Sequence, residues 1–542
     1  MPKYLNRFTV PSIVAVTLTS FALAACGGSD SGDDAASNLA KYVPADASVY
    51  VEGTLRPDQD VADDVDSIST KLTGKSLSAT IDEALAQAQD AELTYEADVK
   101  PWLGDNAALY VPEETISSAA ATDVSVGDPA TAMVDSSSDI FGMIAESTDV
   151  DASQAFIDKA AEAETPGGGE ASGGEYEGFS YRISNSDGSV LGIVDDNVVM
   201  ASSEDIFKAM VDASKGDSLE GNSTFSDVIG KAADDSIVDI YTPNEPLITS
   251  AQGGDDAFGL VNLYKALGGN LEDTGSVISL VPSADEISVV GVTNADAALV
   301  SGDPSAVIES FPANSLFATG SGDVGANITK VIDTIDKEGL GDVLKPGELN
   351  KQIDEISSQG LDIVSVAESL ETVGFFVSGD SLDTLGGALL ATTSDPQPLE
   401  NALGAFSQLI GLADDAKVKP LRGDMTGFSV KTPELPGRPV VIAIQGDRLA
   451  IGIGMPATKQ ALSGSGETLA DSDAYKAAEE SLDGQNVDMF GNPAAIASVV
   501  ESFTAGDPIG DKAVEIINKF EYMVSGSGSD DKTFAFNLGL KD

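Results

Sequence analysis

The chain is written twice. Tyr42-Val43-Pro44-Ala45-Asp46-Ala47-Ser48-Val49-Tyr50-Val51 is answered by Ser310-Phe311-Pro312-Ala313-Asn314-Ser315-Leu316-Phe317-Ala318, with Pro44 and Pro312 offset by 268. Further along, the offset settles near 250. Gly178-Phe179-Ser180-Tyr181 matches Gly427-Phe428-Ser429-Val430, and Phe225 matches Tyr475. Ile237-Val238-Asp239-Ile240-Tyr241 matches Val487-Asp488-Met489-Phe490. A unit that occurs twice must bury its apolar faces by the same solution twice, which narrows the folds open to the chain.

The element pattern inside each copy points to mixed structure. An apolar hairpin runs Val190–Val194, turns at Asp195-Asp196-Asn197 and returns along Val198–Ala201. Its partner runs Val440–Ile444, turns at Gln445-Gly446-Asp447 and returns along Leu449–Gly452. Asp, Asn and Gly suit such turns because they tolerate positive φ. A capped helix follows each hairpin, at Ser203–Met210 and Pro456–Leu462. Each copy closes on two strands, Val277–Val281 with Ile287–Val292 and Tyr522–Ser525 with Thr533–Leu538. Helical spacing over Ser76–Ala91, Ala152–Ala163, Pro398–Leu412 and Asp511–Phe520 alternates with strands patterned at period two. These signals predict an α+β fold: two tandem copies of a unit with antiparallel sheets backed by helices on one face. The first copy is expected over residues 39–300 and the second over 301–542.

The first residues carry an export signal. Lys3 and Arg7 precede an apolar run from Phe8 to Leu23, and small residues lead to Cys26. The run is too short, and too broken by Pro11, Thr17, Thr19 and Ser20, for the ~20 apolar residues of a membrane span. Residues 1–25 therefore read as a signal peptide. Cys26 is the only cysteine, so it has no internal disulfide partner and calls for another use. Leu23-Ala24-Ala25-Cys26 resembles the lipobox of bacterial lipoproteins. That resemblance implies a Cys26 thiol acylated with diacylglycerol, a new N-terminus there, and attachment to the extracytoplasmic face of the cell membrane. Residues 26–38 are small, polar and acidic and read as a flexible tether.

Composition removes whole classes of chemistry. There is no histidine, so Ser-His-Asp and Cys-His catalysis and imidazole metal sites are excluded. With the single cysteine committed to lipid, thiolate metal and redox sites go as well. Carboxylate chemistry, a Ser-Lys pair or an oxygen-ligand cation site is what the composition leaves open. No cofactor and no metal site is expected. Lys3 and Arg7 are the only charged residues before Cys26, so the mature chain has 27 basic and 89 acidic residues, a net −62 against −60 for the whole. That charge repels nucleic acid and anionic lipid headgroups. The partners it leaves are the membrane, through lipid on Cys26, and an envelope protein or apolar ligand.

Individual candidates read mostly as structure. Trp102, the one tryptophan, follows Pro101 and enters an apolar strand, which suits a core residue better than a ligand platform. Asp195-Asp196-Asn197 reads as a turn. Asp58, Asp60, Asp63, Asp64 and Asp66 lack the Gly and terminal Glu of a calcium loop and read as a solvated helix face. Thr165–Gly174 is Gly-rich but lacks the Lys of a P-loop and reads as a surface loop. Ser69-Thr70-Lys71 and Ser214-Lys215 read as surface.

Val43-Pro44-Ala45-Asp46 with its strand, Pro101-Trp102-Leu103-Gly104, and the turn-strand-helix run Asp196–Met210 together resemble one family. It is the domain-of-unknown-function 3352 family of bacterial envelope proteins, many of them lipoproteins. The resemblance implies no activity and no site residues. The expected role is a membrane-anchored, non-enzymatic binding or structural module of the envelope. The alternatives are a carrier of a lipid or other apolar ligand, and a carboxylate-based hydrolase.

Overall fold

The computed structural model describes residues 38–76, 79, 95–112, 140–163, 172–184, 188–244, 260–340, 344–358, 360–381, 384–411, 417–431, 438–464, 466–504, 507–529 and 531–541. The expected signal peptide, Cys26 and the expected tether up to residue 37 lie outside the described residues, as does the helix expected over 76–91 except for Ser76 and Ala79. The chain divides into two compact units, Met1–Asp256 with Leu271–Ala295, and Ala257–Asn270 with Asp296–Asp542.

The first unit runs β1 (Ala47–Thr54), α1 (Gln59–Thr73), β2 (Leu103–Pro112), β3 (Gly142–Ser147), α2 (Val150–Ala163), β4 (Ser172–Tyr176), β5 (Phe179–Ile183), β6 (Val190–Val194), β7 (Asn197–Ala201), α3 (Glu204–Ala213), α4 (Ser223–Ile229), β8 (Val238–Pro243), β9 (Gly275–Ser283) and β10 (Glu286–Thr293). All pairings are antiparallel, in the order β4-β5-β6-β7-β3-β2-β1-β8-β9-β10. Local chemistry sets the boundaries. The Asp58 side chain accepts from Val61 N at 3.0 Å to start α1, and Gly74, at φ 76°, stops it. Asp195 and Asp196 take φ 45° and 71°, the left-handed pair that a two-residue hairpin turn requires.

The second unit begins with α5 (Leu260–Ala266) and continues α6 (Ser305–Glu309), β11 (Ser315–Ser321), α7 (Val324–Glu338), α8 (Leu349–Ser358), α9 (Ile363–Ser369), β12 (Leu370–Ser378), β13 (Gly386–Thr393) and α10 (Pro396–Gly411). Then come β14 (Lys417–Pro420), β15 (Thr426–Lys431), β16 (Val440–Gln445), β17 (Arg448–Ile453), α11 (Met455–Ser463), α12 (Asp473–Ser481), β18 (Asn486–Gly491), α13 (Pro493–Thr504), α14 (Pro508–Ile517), β19 (Phe520–Ser527) and β20 (Thr533–Leu540). Its sheet order is β14-β15-β16-β17-β13-β12-β11-β18-β19-β20, the first order repeated strand for strand. Irregularities repeat too. The β1–β2 register shifts between Ala47 and Val49, and the β11–β12 register between Ser315 and Phe317. The incoming segment is seated alike, with Leu219 N donating to Val43 O and Leu469 N to Phe311 O, both at 2.8 Å.

Helices back each sheet on both faces, not on the one face expected. In the first unit Ile144 and Val199 face a core with α3 and α4, through Phe207, Met210, Phe225 and Val228. Their neighbours Ala145 and Val198 face the opposite core, with Val61 and Val65 of α1 and Phe156 and Ile157 of α2. Strands apolar on both sides require this, since each face must be covered. In the second unit α6, α11 and α12 cover one face, and Leu399 and Leu403 of α10 cover part of the other. The expected loop Thr165–Gly174 gives way at its end to β4, whose Gly173 and Gly174 pair with Arg182 and Tyr181. Gly174 is required there, because a Cβ would lie 2.3 Å from the Tyr181 ring.

Candidate functional site

The face of the first sheet that packs on α3 and α4 ends in acids. Tyr110, Tyr50 and Tyr241 stand in register across β2, β1 and β8, all fully buried. Two residues along the same face, Glu52 of β1 is opposite Asp239 of β8, and Asp239 is opposite Ser279 of β9. Facing residues on adjacent antiparallel strands have Cβ atoms roughly 4.5–5.5 Å apart. Glu146 of β3 lies on this face beside Asn106 of β2.

Each carboxylate is held by the fold. Tyr50 Oη donates to Glu52 Oε2 at 2.6 Å. Ser279 Oγ donates to Asp239 Oδ1 at 2.5 Å and Ser236 Oγ to Oδ2 at 2.8 Å. Asn106 N and Nδ2 donate to Glu146 Oε2 at 2.9 and 3.3 Å. Burial pushes the Asp239 and Glu146 carboxyls above the usual carboxylate range, and those hydrogen bonds pull them only part of the way back. Burial likewise raises the Tyr241 phenol to about 12. The carboxyls are chemically able to hold protons near the sheet's end, and their hydrogen bonds tie β2 to β3 through Glu146 and β8 to β9 through Asp239.

Residues 9–490 match the family described as protein of unknown function, DUF3352. The chain belongs to the DUF3352 family. No curated protein and no solved structure matches it.

The second unit of this DUF3352 chain keeps the framework and drops most of the charge. Asp488 stands where Asp239 does, raised by burial and hydrogen-bonded by Ser527. Gly320 replaces Glu52. Thr372 N donates to Thr392 Oγ1 at 3.1 Å where Asn106 N donates to the Glu146 carboxylate.

The residues singled out in the sequence take their places as follows. Trp102 is buried in the core, its Nε1 donating to Asp98 O at 2.8 Å and its ring centroid 5.3 Å from that of Phe156. Asp195 and Asp196 form the hairpin turn; Lys41 pairs with Asp195 at 3.3 Å, and Asn197 Nδ2 donates to Tyr42 Oη at 3.0 Å. Asp58, Asp60, Asp63, Asp64 and Asp66 belong to the start and outer side of α1, with Asp64 raised by burial first and by Asp60 and Asp63 next. Among the described residues, no three acidic side chains converge as metal ligands. Ser69 Oγ donates to Lys75 O, and Ser214 Oγ to Val211 O, both as local helix-end contacts. Glu52, Glu146 and Asp239 escaped the sequence reading. For Glu52 and Asp239 the signal was an acid two positions from a core tyrosine, in Tyr50-x-Glu52 and Asp239-x-Tyr241, where strand alternation points both side chains to the same face.

Proposed function

We propose that the chain is a lipid-anchored envelope protein, cut before Cys26 and acylated there, whose body is a non-enzymatic binding or structural module on the extracytoplasmic side. One observation carries the reading: the only cysteine of 542 residues follows Leu23-Ala24-Ala25 at the end of a signal-like segment. Several acyl chains on one residue anchor firmly, at about 0.8 kcal/mol per buried CH₂. Three features support it. No helix among the described residues is long and apolar enough to cross a membrane. The repeated strand order suits a body made of tandem copies. The half-buried Asp239 and Glu146 carboxylates are engaged in holding neighbouring strands together. Fractionation tests the anchor. The parent is expected in the membrane pellet and released by detergent, and Cys26→Ser in the soluble exported fraction. A Cys26→Ser chain that stays in the membrane would overturn the reading.

A further inference from the structure

In a chain of net charge −60, the edge hairpin of the second sheet gathers cations on one face. β14 pairs with β15 and stands at the end of the strand order. Val418 and Val430 are opposite each other and pack toward the core of Leu399 and Leu403 on α10. Strand alternation therefore turns Lys417, Lys419 and Lys431 to the other face. All three are exposed. Lys417 is directly opposite Lys431, and neither strand contains an acid. Among the described residues, none of the three lysines makes an ion pair or a side-chain hydrogen bond. The edge of the first sheet differs: β4 carries Glu175 and no base, and Arg182 of β5 pairs with Asp158 at 3.1 Å.

Like charges directly opposite on neighbouring strands destabilise the pair, their Cβ atoms being roughly 4.5–5.5 Å apart. Protecting a sheet edge from unwanted pairing calls for lysine on the outermost strand, where Pro420 already removes a donor. It does not account for Lys431, one strand further in. We infer that the β14–β15 hairpin holds a short, extended acidic peptide segment of a partner protein, with carboxylates set against Lys417, Lys419 and Lys431. The spacing suits it, because alternate residues of an extended chain repeat at about 6.5–7 Å, as Lys417 and Lys419 do. The charge of the rest of the chain selects a short occupant. Exposed charges are screened beyond ~8 Å at physiological salt, so a segment confined to the hairpin meets chiefly its three ammonium groups. A long polyanion or an anionic membrane surface reaches past them to a body of net charge −60. The inference rests on reading the body as a binding module and not on the anchor at Cys26.

Purified full-length protein in detergent is titrated into a fluorescein-labelled peptide of alternating aspartate and serine, with binding read by anisotropy. Changing Lys417→Gln, Lys419→Gln and Lys431→Gln together is expected to weaken binding on the order of tenfold. The same loss of charge at three other exposed positions, Lys351→Gln, Lys512→Gln and Lys541→Gln, should leave it nearly unchanged. No binding by the parent, or equal affinity in the two triple variants, overturns the site. A long inorganic polyphosphate that binds the parent more tightly than the peptide overturns the choice of occupant. Relieving the opposed lysines should hold or raise the melting temperature; a fall would assign them to the fold and overturn the docking. An intact mass reports on the anchor separately, so the two readings fail independently.

Discussion

The two units share one strand order and fill it differently. Across the middle of the first sheet stand Tyr110, Tyr50 and Tyr241; across the second stand Phe376, Ala318 and Phe490. The bulk missing at Ala318 is restored from the incoming segment, where Phe311 replaces Val43 and stacks on Phe376 at 5.0 Å. The helix–strand aromatic pair is kept with its hydroxyl exchanged. Phe225 meets Tyr241 at 5.1 Å, and Tyr475 meets Phe490 at 5.2 Å. Core volume and aromatic contact are thus preserved while the residue supplying them moves, the tolerance expected of a core that is specified by total packing. The opposite face differs more. Met143 and Met200 are 3% and 2% exposed in the first unit, while Ile451, the counterpart of Met200, is 39% exposed and its row-mate Phe375 40%.

That last contrast is the easiest to break. Met200→Asp buries an unpaired carboxylate and is expected to destabilise by about 4–5 kcal/mol. Ile451→Asp should shift stability by no more than about 1 kcal/mol. Equal losses in thermal unfolding would erase the distinction between the faces. Tyr50→Ala comes next, at about 3–5 kcal/mol. Adding Val43→Phe, which copies the second unit, should recover at least about 1 kcal/mol; no recovery would show that the two cores are not interchangeable solutions. Tyr50→Phe removes the donor to Glu52 and should cost about 1.5 kcal/mol. Tyr475→Phe removes a buried hydroxyl with no partner among the described residues and should be neutral or slightly stabilising by denaturant titration.

The smallest effect is in pH. Glu146 and Asp239 are raised by burial, so the folded first unit holds protons that the unfolded chain releases. The stability they contribute is complete below the ordinary carboxylate range and is lost as pH rises through the raised values. Glu146→Gln with Asp239→Asn should therefore raise the melting temperature at about pH 7 relative to the parent, with the difference fading toward about pH 4. A difference that grew in acid would reverse the sign assigned here.

Much of the fold was legible because it was local. The hairpins at Asp195-Asp196 and Gly446-Asp447 announce themselves through turn chemistry, and the change of offset from 268 to about 250 marks where one copy is shorter. Pairing of β1 with β8, or of β3 with β7, joins residues far apart in sequence that no local pattern specifies. Covering both sheet faces was implied by strands like Gly142–Ser147, apolar at successive positions, yet period-two alternation elsewhere drew the reading toward one. The acids of the candidate site stayed hidden because a chain with 89 of them offers no contrast until strand register singles out the few that face the core.

The proposed placement of this protein depends on the chemistry of one thiol. Mass spectrometry of the N-terminal peptide from protein purified out of its native membrane should find the chain beginning at Cys26 with acyl groups on that residue. A chain beginning elsewhere, or an unmodified Cys26, would contradict it.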